Sequence, residues 1–310
     1  MIDQAAERNS MPSSPELVTT RVHRTLWADA WIRLRRNKLA VVGGLIVLVI
    51  ALAAIFAPWI TPYDYAFQDY SAVMQPPSTV HWFGTDELGR DVFARMLYGA
   101  RTSLMVGFFT QFIVLLIGLP IGAFAGFIGG KIDNVLMRFV DIMYAFPDIL
   151  LIILLSAVMR ETSFAKFGGG IFVIFLAIGL VSWVGIARLV RGQVLSLKQR
   201  DFVTAARSLG GDSRYITMRH VIPNALGPVI VAITFGVPRA IFAEAALSYI
   251  GIGIKPPTPS WGAMIRDGFA VLNAYPHLVI IPAAAIALLM LAFTFLGDGL
   301  RDALDPRMKR

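Results

Sequence analysis

Six long apolar runs constrain the fold of this chain more than any other feature of its sequence. The first run, residues 39–57, contains no charged residue, and about 20 apolar residues suffice to cross a bilayer as a helix. The other five runs cover residues 103–130, 139–159, 170–187, 225–254 and 278–297. Because backbone groups inside a bilayer must be hydrogen-bonded within the protein, these runs predict an all-α polytopic membrane protein with six transmembrane helices.

The composition supports a membrane protein and excludes several other classes. Hydrophobic residues make up 56% of the chain and charged residues 15%, and the mean hydropathy is +0.67. A soluble or a disordered chain is much less apolar. The absence of cysteine excludes a disulfide-stapled fold and thiolate chemistry.

The basic residues predict the orientation of the helices. With six spans, 20 of the 28 Lys and Arg residues fall on the side of the two termini and 7 on the other side. Cytoplasmic loops are enriched in Lys and Arg, so both termini are predicted to be cytoplasmic, and the net charge of +8 reflects topology rather than nucleic-acid binding. The predicted regions are a cytoplasmic tail (1–38), an uncleaved first transmembrane helix (39–60), an external loop (61–101), a five-helix core (102–298) with an inner loop at 188–223, and a cytoplasmic tail (299–310).

The external loop contains three acidic residues close together, Asp86, Glu87 and Asp91. Their spacing lacks the central glycine of a calcium-binding loop. We therefore expect these side chains to cap helices and form salt bridges, and we predict no metal site.

The inner loop contains a short amphipathic helix. Asp201 can cap a turn, and Phe202, Ala205, Ala206 and Leu209 recur at helical spacing to form one apolar stripe. Gly210 ends this helix, and Pro223 ends a second short helix near the membrane. Two interpretations of the stripe stay open on pattern alone, a docking surface for a cytoplasmic partner or a face that lies on the membrane or under the bundle.

Small residues recur on the second predicted span. Gly118, Gly122 and Gly126 are four residues apart, which allows another helix backbone to approach closely. We interpret them as a packing seam rather than a substrate contact.

Ionisable residues inside predicted spans are costly and are functional candidates by default. Asp148, Arg239 and Glu244 are of this kind. Arg239 and Glu244 lie about 140° apart around one helix, so they are poor partners for each other within that helix. Each either pairs with another helix or lines an aqueous path through the membrane.

Two segments of the inner loop carry a family resemblance. Residues 204–210 (TAARSLG) and, nine residues later, 220–223 (HVIP) resemble the cytoplasmic loop of permease subunits of binding-protein-dependent ABC importers. Three positions depart from the general pattern of that loop, with Thr204 in place of Glu, His220 in place of Ile and Ile222 in place of Leu. The variant form is similar to the peptide and nickel branch of the family.

Four further segments extend the resemblance along the chain. Residues 84–91 (GTDELGRD), 247–253 (LSYIGIG), 256–262 (PPTPSWG) and 297–306 (GDGLRDALDP) each resemble the second, C-type permease of dipeptide and oligopeptide importers. Residues 187–193 (ARLVRGQ) and 195–198 (LSLK) look more like the oligopeptide members.

The resemblance implies a type I ABC importer permease in the bacterial cytoplasmic membrane. Its expected partners are a second permease, with which it forms a heterodimer, two cytoplasmic ABC ATPases, an extracytoplasmic substrate-binding protein and membrane lipid. Its expected function is to import peptides by alternating access, and the exact cargo stays open. Contacts with the ATPases are implied for eight residues: Asp201, Phe202, Ala205, Ala206, Arg207, Leu209, Gly210 and Pro223.

The same resemblance implies a non-catalytic subunit without a cofactor of its own, since ATP and Mg²⁺ would be bound by the partner ATPases. The sequence agrees, because a Walker A loop needs a Gly five residues before the Gly-Lys pair and Ser or Thr after it. Around Gly130 and Lys131, those positions hold Ala125 and Ile132. The polar, proline-rich segment 256–262 and parts of 68–91 are predicted to face the binding protein.

An alternative is an ion-coupled secondary transporter in which Asp148 and Glu244 are the coupling groups. The sequence shows no inverted repeat or paired broken helices to support it. A membrane enzyme is a third class, but the four histidines show no zinc-binding spacing.

Overall fold

A computed structural model describes residues 26–162 and 170–305. Within these residues the secondary structure is helical, with one isolated β-bridge between Thr85 and Asp91. The helices are α1 (Leu26–Arg36), α2 (Lys38–Ile55), α3 (Ala57–Ile60), α4 (Val92–Ile128), α5 (Gly130–Ala145), α6 (Asp148–Arg160), α7 (Ile171–Leu197), α8 (Asp201–Ser208), α9 (Ser213–Ile216), α10 (Ile222–Tyr249), α11 (Trp261–Phe269) and α12 (His277–Leu304). A π-helical turn, Thr217–Val221, joins α9 to α10.

Five helical segments among the described residues are long and apolar enough to span a membrane: α2, α4, α7, the continuous segment Ser213–Tyr249, and α12. A sixth span exists if α5 and α6 are counted together, but these two helices meet at an angle of 89°. The predicted span at 139–159 thus corresponds to a bent pair of helices, the end of α5 and most of α6. Pro147 follows the break, where it supplies no backbone N–H and disfavours a helical conformation for Phe146.

Several helices extend beyond the apolar runs, so the predicted region boundaries shift. The α4 helix begins at Val92 because the Asp91 side chain accepts a hydrogen bond from the Ala94 N–H at 2.7 Å, which shortens the external loop to residues 61–91. The α7 helix continues to Leu197, so the first part of the predicted inner loop is helical. At the two ends, α1 lies within the predicted N-terminal tail, and α12 continues to Leu304.

The bundle is organised around α4 and α10. The α4 helix packs most extensively against α7, and α10 contacts α4, α7 and α12. A Cβ atom at Gly118 would lie 2.8 Å from the Trp183 carbonyl oxygen, and one at Gly126 would lie 2.9 Å from the Val194 Cβ. A Cβ atom at Gly122 would come even closer to the Ala187 carbonyl oxygen. The three glycines thus lie directly against α7 and permit its close approach.

Ion pairs and caps hold the external loop on the bundle. Asp86 accepts hydrogen bonds from the backbone of Leu88 and Arg90, and its carboxylate lies 2.7 Å from Arg90 Nε and 3.4 Å from Arg95 Nε. Asp91 also pairs with His81 Nδ1 at 2.8 Å. For Asp86 and Asp91, the expectation of capping and salt bridges is therefore confirmed.

Candidate functional site

The short helix α8 follows α7 in the chain and is fixed by backbone hydrogen bonds at both of its ends. Only residues 198–200 separate the two helices, and they stay hydrogen-bonded, since the Lys198 N–H donates to Val194 O and the Val203 N–H to Arg200 O. At its other end the Gly211 N–H donates to Ala206 O at 3.0 Å. Gly210, with φ +83°, adopts the left-handed conformation that terminates helices.

The two faces of α8 have different environments. Val203 is fully buried and belongs to a cluster with Ile216 and residues of α4, α7 and α10. On the other face Phe202 is 40% exposed and Leu209 is 89% exposed, with Ala205 exposed between them. Such apolar exposure on a well-anchored helix is typical of a docking surface.

One member of the predicted stripe differs from the others. Ala206 is half-buried and packs against the cluster that contains Val203, so it contacts its own chain rather than lying fully on the free face. The other residues assigned to this site are exposed: Asp201, Arg207 and Gly210 on and after α8, and Pro223 in the first turn of α10. The prediction that Pro223 ends a second short helix is wrong, because the helical segment Ser213–Tyr249 continues through it.

Glu244 does not line an open path in this structure. It is fully buried on α10, where its carboxylate accepts a hydrogen bond from Ser248 Oγ at 2.6 Å and a longer one from Ser103 Oγ of α4 at 3.4 Å. Ser260 Oγ lies 3.4 Å from Ser248 Oγ. Of the two alternatives for Glu244, this structure shows pairing with another helix, since the carboxylate joins α10 to α4; a role in the pathway stays a prediction.

Asp148 and Arg239 have exposed side chains. Asp148 is the first residue of α6, directly after the bend, and Arg239 lies on the outward face of α10. The structure thus does not bring Asp148, Arg239 and Glu244 together. Nothing in the described residues favours an ion-coupled transporter built on Asp148 and Glu244.

The segment 256–262 is only partly a surface. Pro256 and Pro257 are exposed, but Ser260 and Trp261 are buried. Ser260 caps α11 by accepting a hydrogen bond from the Ala263 N–H, and Trp261 Nε1 donates to Met96 O of α4 at 3.0 Å. The expectation that the whole segment faces an external protein is therefore wrong for its second half.

The sequence reasoning missed an ion pair near the end of α7. Arg191 Nε and Nη2 donate to the two carboxylate oxygens of Asp133 on α5, at 2.5 and 2.7 Å. Sequence patterns place Arg191 in the inner loop and do not single out Asp133. The pair becomes apparent only because α7 continues through Arg191 to Leu197.

The geometry defines a class of protein, a polytopic helical membrane protein with an anchored amphipathic helix between two spans. The family comparison then identifies it. Residues 118–310 match the family described as "Binding-protein-dependent transport system inner membrane component", and residues 25–77 match the "N-terminal TM domain of oligopeptide transport permease C". The chain belongs to this family of inner-membrane transport components.

Curated relatives are similar over almost the entire chain. The oligopeptide transport system permease protein OppC of Bacillus subtilis (strain 168) is 44% identical over 92% of this chain and 91% of its own. The dipeptide transport system permease protein DppC of the same strain is 44% identical over 91% of this chain and 86% of its own. The glutathione transport system permease protein GsiD of Escherichia coli O6:K15:H31 is 43% identical over 98% of this chain and 97% of its own.

Solved structures show the same fold at low sequence identity. Two chains from inward-facing conformations of the MetNI methionine ABC transporter superpose with TM-scores of 0.57 and 0.55. They are 18% and 20% identical, and they cover 68% and 69% of this chain and 96% and 98% of their own. The fold is therefore that of a type I ABC importer permease.

Proposed function

We propose that this chain is one of two permease subunits of an ATP-driven importer that moves peptides across the bacterial inner membrane by alternating access. It forms a heterodimer with a second permease and receives its cargo from an extracytoplasmic binding protein. Two cytoplasmic ABC ATPases bind ATP and Mg²⁺ and drive the cycle, and this chain catalyses no reaction. The names of three relatives support the cargo class, since oligopeptides, dipeptides and glutathione are all peptides.

The single observation that carries the proposal is the exposed apolar face of α8. Phe202 and Leu209 stay accessible although Val203, on the opposite face, anchors the helix rigidly. A partner that covers this face gains burial free energy, about 1.5–3 kcal/mol for the almost fully exposed Leu209 and less than half of that for Phe202, which is 40% exposed. An ABC ATPase with an apolar groove fits this surface.

Arg239 supports a pathway between two permeases. It is exposed on α10, ten residues before the end of that helix at Tyr249, which places it about 15 Å inside the helix end. A guanidinium at that depth is unfavourable against lipid tails, whereas a water-filled path or a partner helix can accommodate it. On this path Arg239 would attract the terminal carboxylate of a passing peptide.

The decisive test of the docking face is Ala205→Asp. The variant places a carboxylate in the middle of the exposed stripe, and burying it unpaired against a partner costs several kcal/mol. We expect the variant to insert and to pair with the second permease, but to lose copurification with the ATPases and to lose peptide uptake. Ala205 is a better test site than Ala206, because Ala206 also contacts its own chain.

Thr204→Asp is the matched control. Thr204 is exposed on the same helix but lies roughly 100° from Ala205, away from the stripe. The control should keep ATPase binding and uptake. Full uptake by Ala205→Asp would refute ATPase docking on this face.

A further inference from the structure

We infer that the ion pair between Asp133 of α5 and Arg191 of α7 transmits movements of α8 to the bent span formed by α5 and α6. The inference rests on the proposed ATPase docking at α8 and goes beyond it, since it assigns the path by which that docking reaches the membrane. Asp133 and Arg191 are positioning residues in this scheme, and neither contacts the cargo.

The geometry of the pair makes it a directional link. Both carboxylate oxygens of Asp133 are engaged by Arg191, and the Asp133 side chain is only 9% exposed. A bidentate pair fixes the relative orientation of the two side chains as well as their distance. The two helix segments that carry Asp133 and Arg191 therefore move together or the pair breaks.

The connection from α8 to Arg191 is short and hydrogen-bonded. Arg191 lies six residues, fewer than two helical turns, before the end of α7 at Leu197, and residues 198–200 lead directly into α8. Lys198, at the start of this connection, donates to the carbonyl oxygens of Gly126 and Phe127 at the end of α4. A displacement of α8 is thus passed to the inner end of α7 with little slack.

Apolar contacts also join α5 to α7. The buried residues Met137 and Val140 lie in one cluster with Trp183 of α7, and Phe139 stacks on the same ring. Asp133 and Arg191 lie closer to α8 than these contacts do, so the ion pair is the link nearest to α8. A second pair, Arg188 Nη2 to Asp141 Oδ1 at 2.7 Å, also joins α7 to α5, but its side chains are 36% and 57% exposed. Exposed pairs contribute little free energy, so the pair with the buried carboxylate is the stronger link.

The far end of α5 leads to the bend at residues 146–147. Beyond the bend, α6 packs against α7 through the buried residue Ile152. Because α6 is held there while α5 follows Arg191, a shift at the inner end of α7 changes the angle between α5 and α6. Such a change at a break between two helices is a hinge motion.

The test uses the assembled transporter with both permeases and both ATPases, reconstituted in lipid. Arg191→Gln and Asp133→Asn each remove one partner of the part-buried pair, in which Arg191 is 33% and Asp133 9% exposed. We expect both variants to copurify with the ATPases and to hydrolyse ATP, while peptide uptake per ATP hydrolysed falls about tenfold or more, since a nearly buried charge loses its partner. A loss of assembly or hydrolysis in parallel with uptake would instead indicate a merely structural pair and overturn the inference.

Two further variants sharpen the result. Arg188→Gln removes the exposed pair on the same two helices and should change uptake per ATP by less than about twofold. Arg191→Lys keeps the charge but cannot form the bidentate contact, so it should assemble normally and show a partial loss of coupling. An equal effect of Arg188→Gln, or unchanged coupling in Arg191→Lys and Arg191→Gln, would refute the link. ATPase copurification separates this inference from the α8 docking proposal. The docking proposal fails if Ala205→Asp still copurifies with the ATPases, whereas the ion-pair variants are expected to copurify in either case.

Discussion

Arg239 and Glu244 lie five residues apart on one helix but in different environments, Arg239 exposed and Glu244 buried. Five positions correspond to about 140° around a helix, so one side chain faces inward when the other faces outward. The sequence predicts this divergence but not its direction, because the inward position of Glu244 depends on Ser103, which lies 141 residues away in the chain. A buried carboxylate is recognisable from sequence only when its distant hydroxyl partners are known.

The serine contacts predict a structural role for Glu244. Glu244→Leu should remove the hydrogen-bond acceptor for Ser248 and Ser103 and leave two buried hydroxyls to find other partners, at about 1–3 kcal/mol for each unsatisfied group. Glu244→Gln keeps the acceptor and the volume and should be much milder. Thermal unfolding of the purified permease complex in detergent measures both. Loss of transport in Glu244→Gln at unchanged thermal stability would contradict this role and restore Glu244 as a pathway residue.

At the scale of elements, apolar runs identified the membrane-embedded parts of α2, α4, α7, α10 and α12, but not where these helices end. The run length reports the thickness of the hydrocarbon layer, whereas the helix continues as long as caps and polar contacts satisfy its backbone. The α7 helix passes through Arg188 and Arg191 because both guanidiniums find carboxylates on α5. The break at Pro147 was visible in the sequence as a proline within a span, yet its 89° angle depends on packing that no local pattern specifies.

The α4–α7 contact predicts opposite effects for two glycine substitutions. Gly122→Ala would drive a Cβ into the carbonyl of Ala187, and such overpacking typically costs about 1–3 kcal/mol. Gly185→Ala is the matched control on α7, where a Cβ would meet no atom within 4 Å, and helix propensity favours Ala there by up to about 1 kcal/mol. The midpoint temperature of thermal unfolding should therefore fall for Gly122→Ala and stay the same or rise for Gly185→Ala. Equal midpoints would contradict the close approach of the two helices.

At the scale of the whole molecule, large apolar side chains remain exposed on α2 and on the α5–α6 pair. In a soluble protein such patches would promote aggregation, but in a membrane lipid covers them, as would the second permease of the proposed assembly. Pattern alone cannot divide these faces between lipid and protein, because lipid tails and leucine side chains are equally apolar. Charge is more informative, since the 20 to 7 distribution of Lys and Arg predicts the orientation of the bundle without any knowledge of its packing.

That orientation is tested by reporter fusions at three sites. A reporter after Arg214, in the segment that contains α8 and α9, should be active only in the cytoplasm, because this segment carries a large share of the basic residues. A reporter near Thr79, in the external loop, should be active only outside.

The third site, after Thr162 at the end of α6, decides whether the bent pair crosses the membrane, and we expect activity outside. If α5 and α6 instead formed a re-entrant loop, Thr162 would be cytoplasmic and α7 would carry the Arg214 segment to the outer side. Opposite signals at both Thr162 and Arg214 would therefore refute the six-span topology and remove α8 from the reach of any cytoplasmic ATPase.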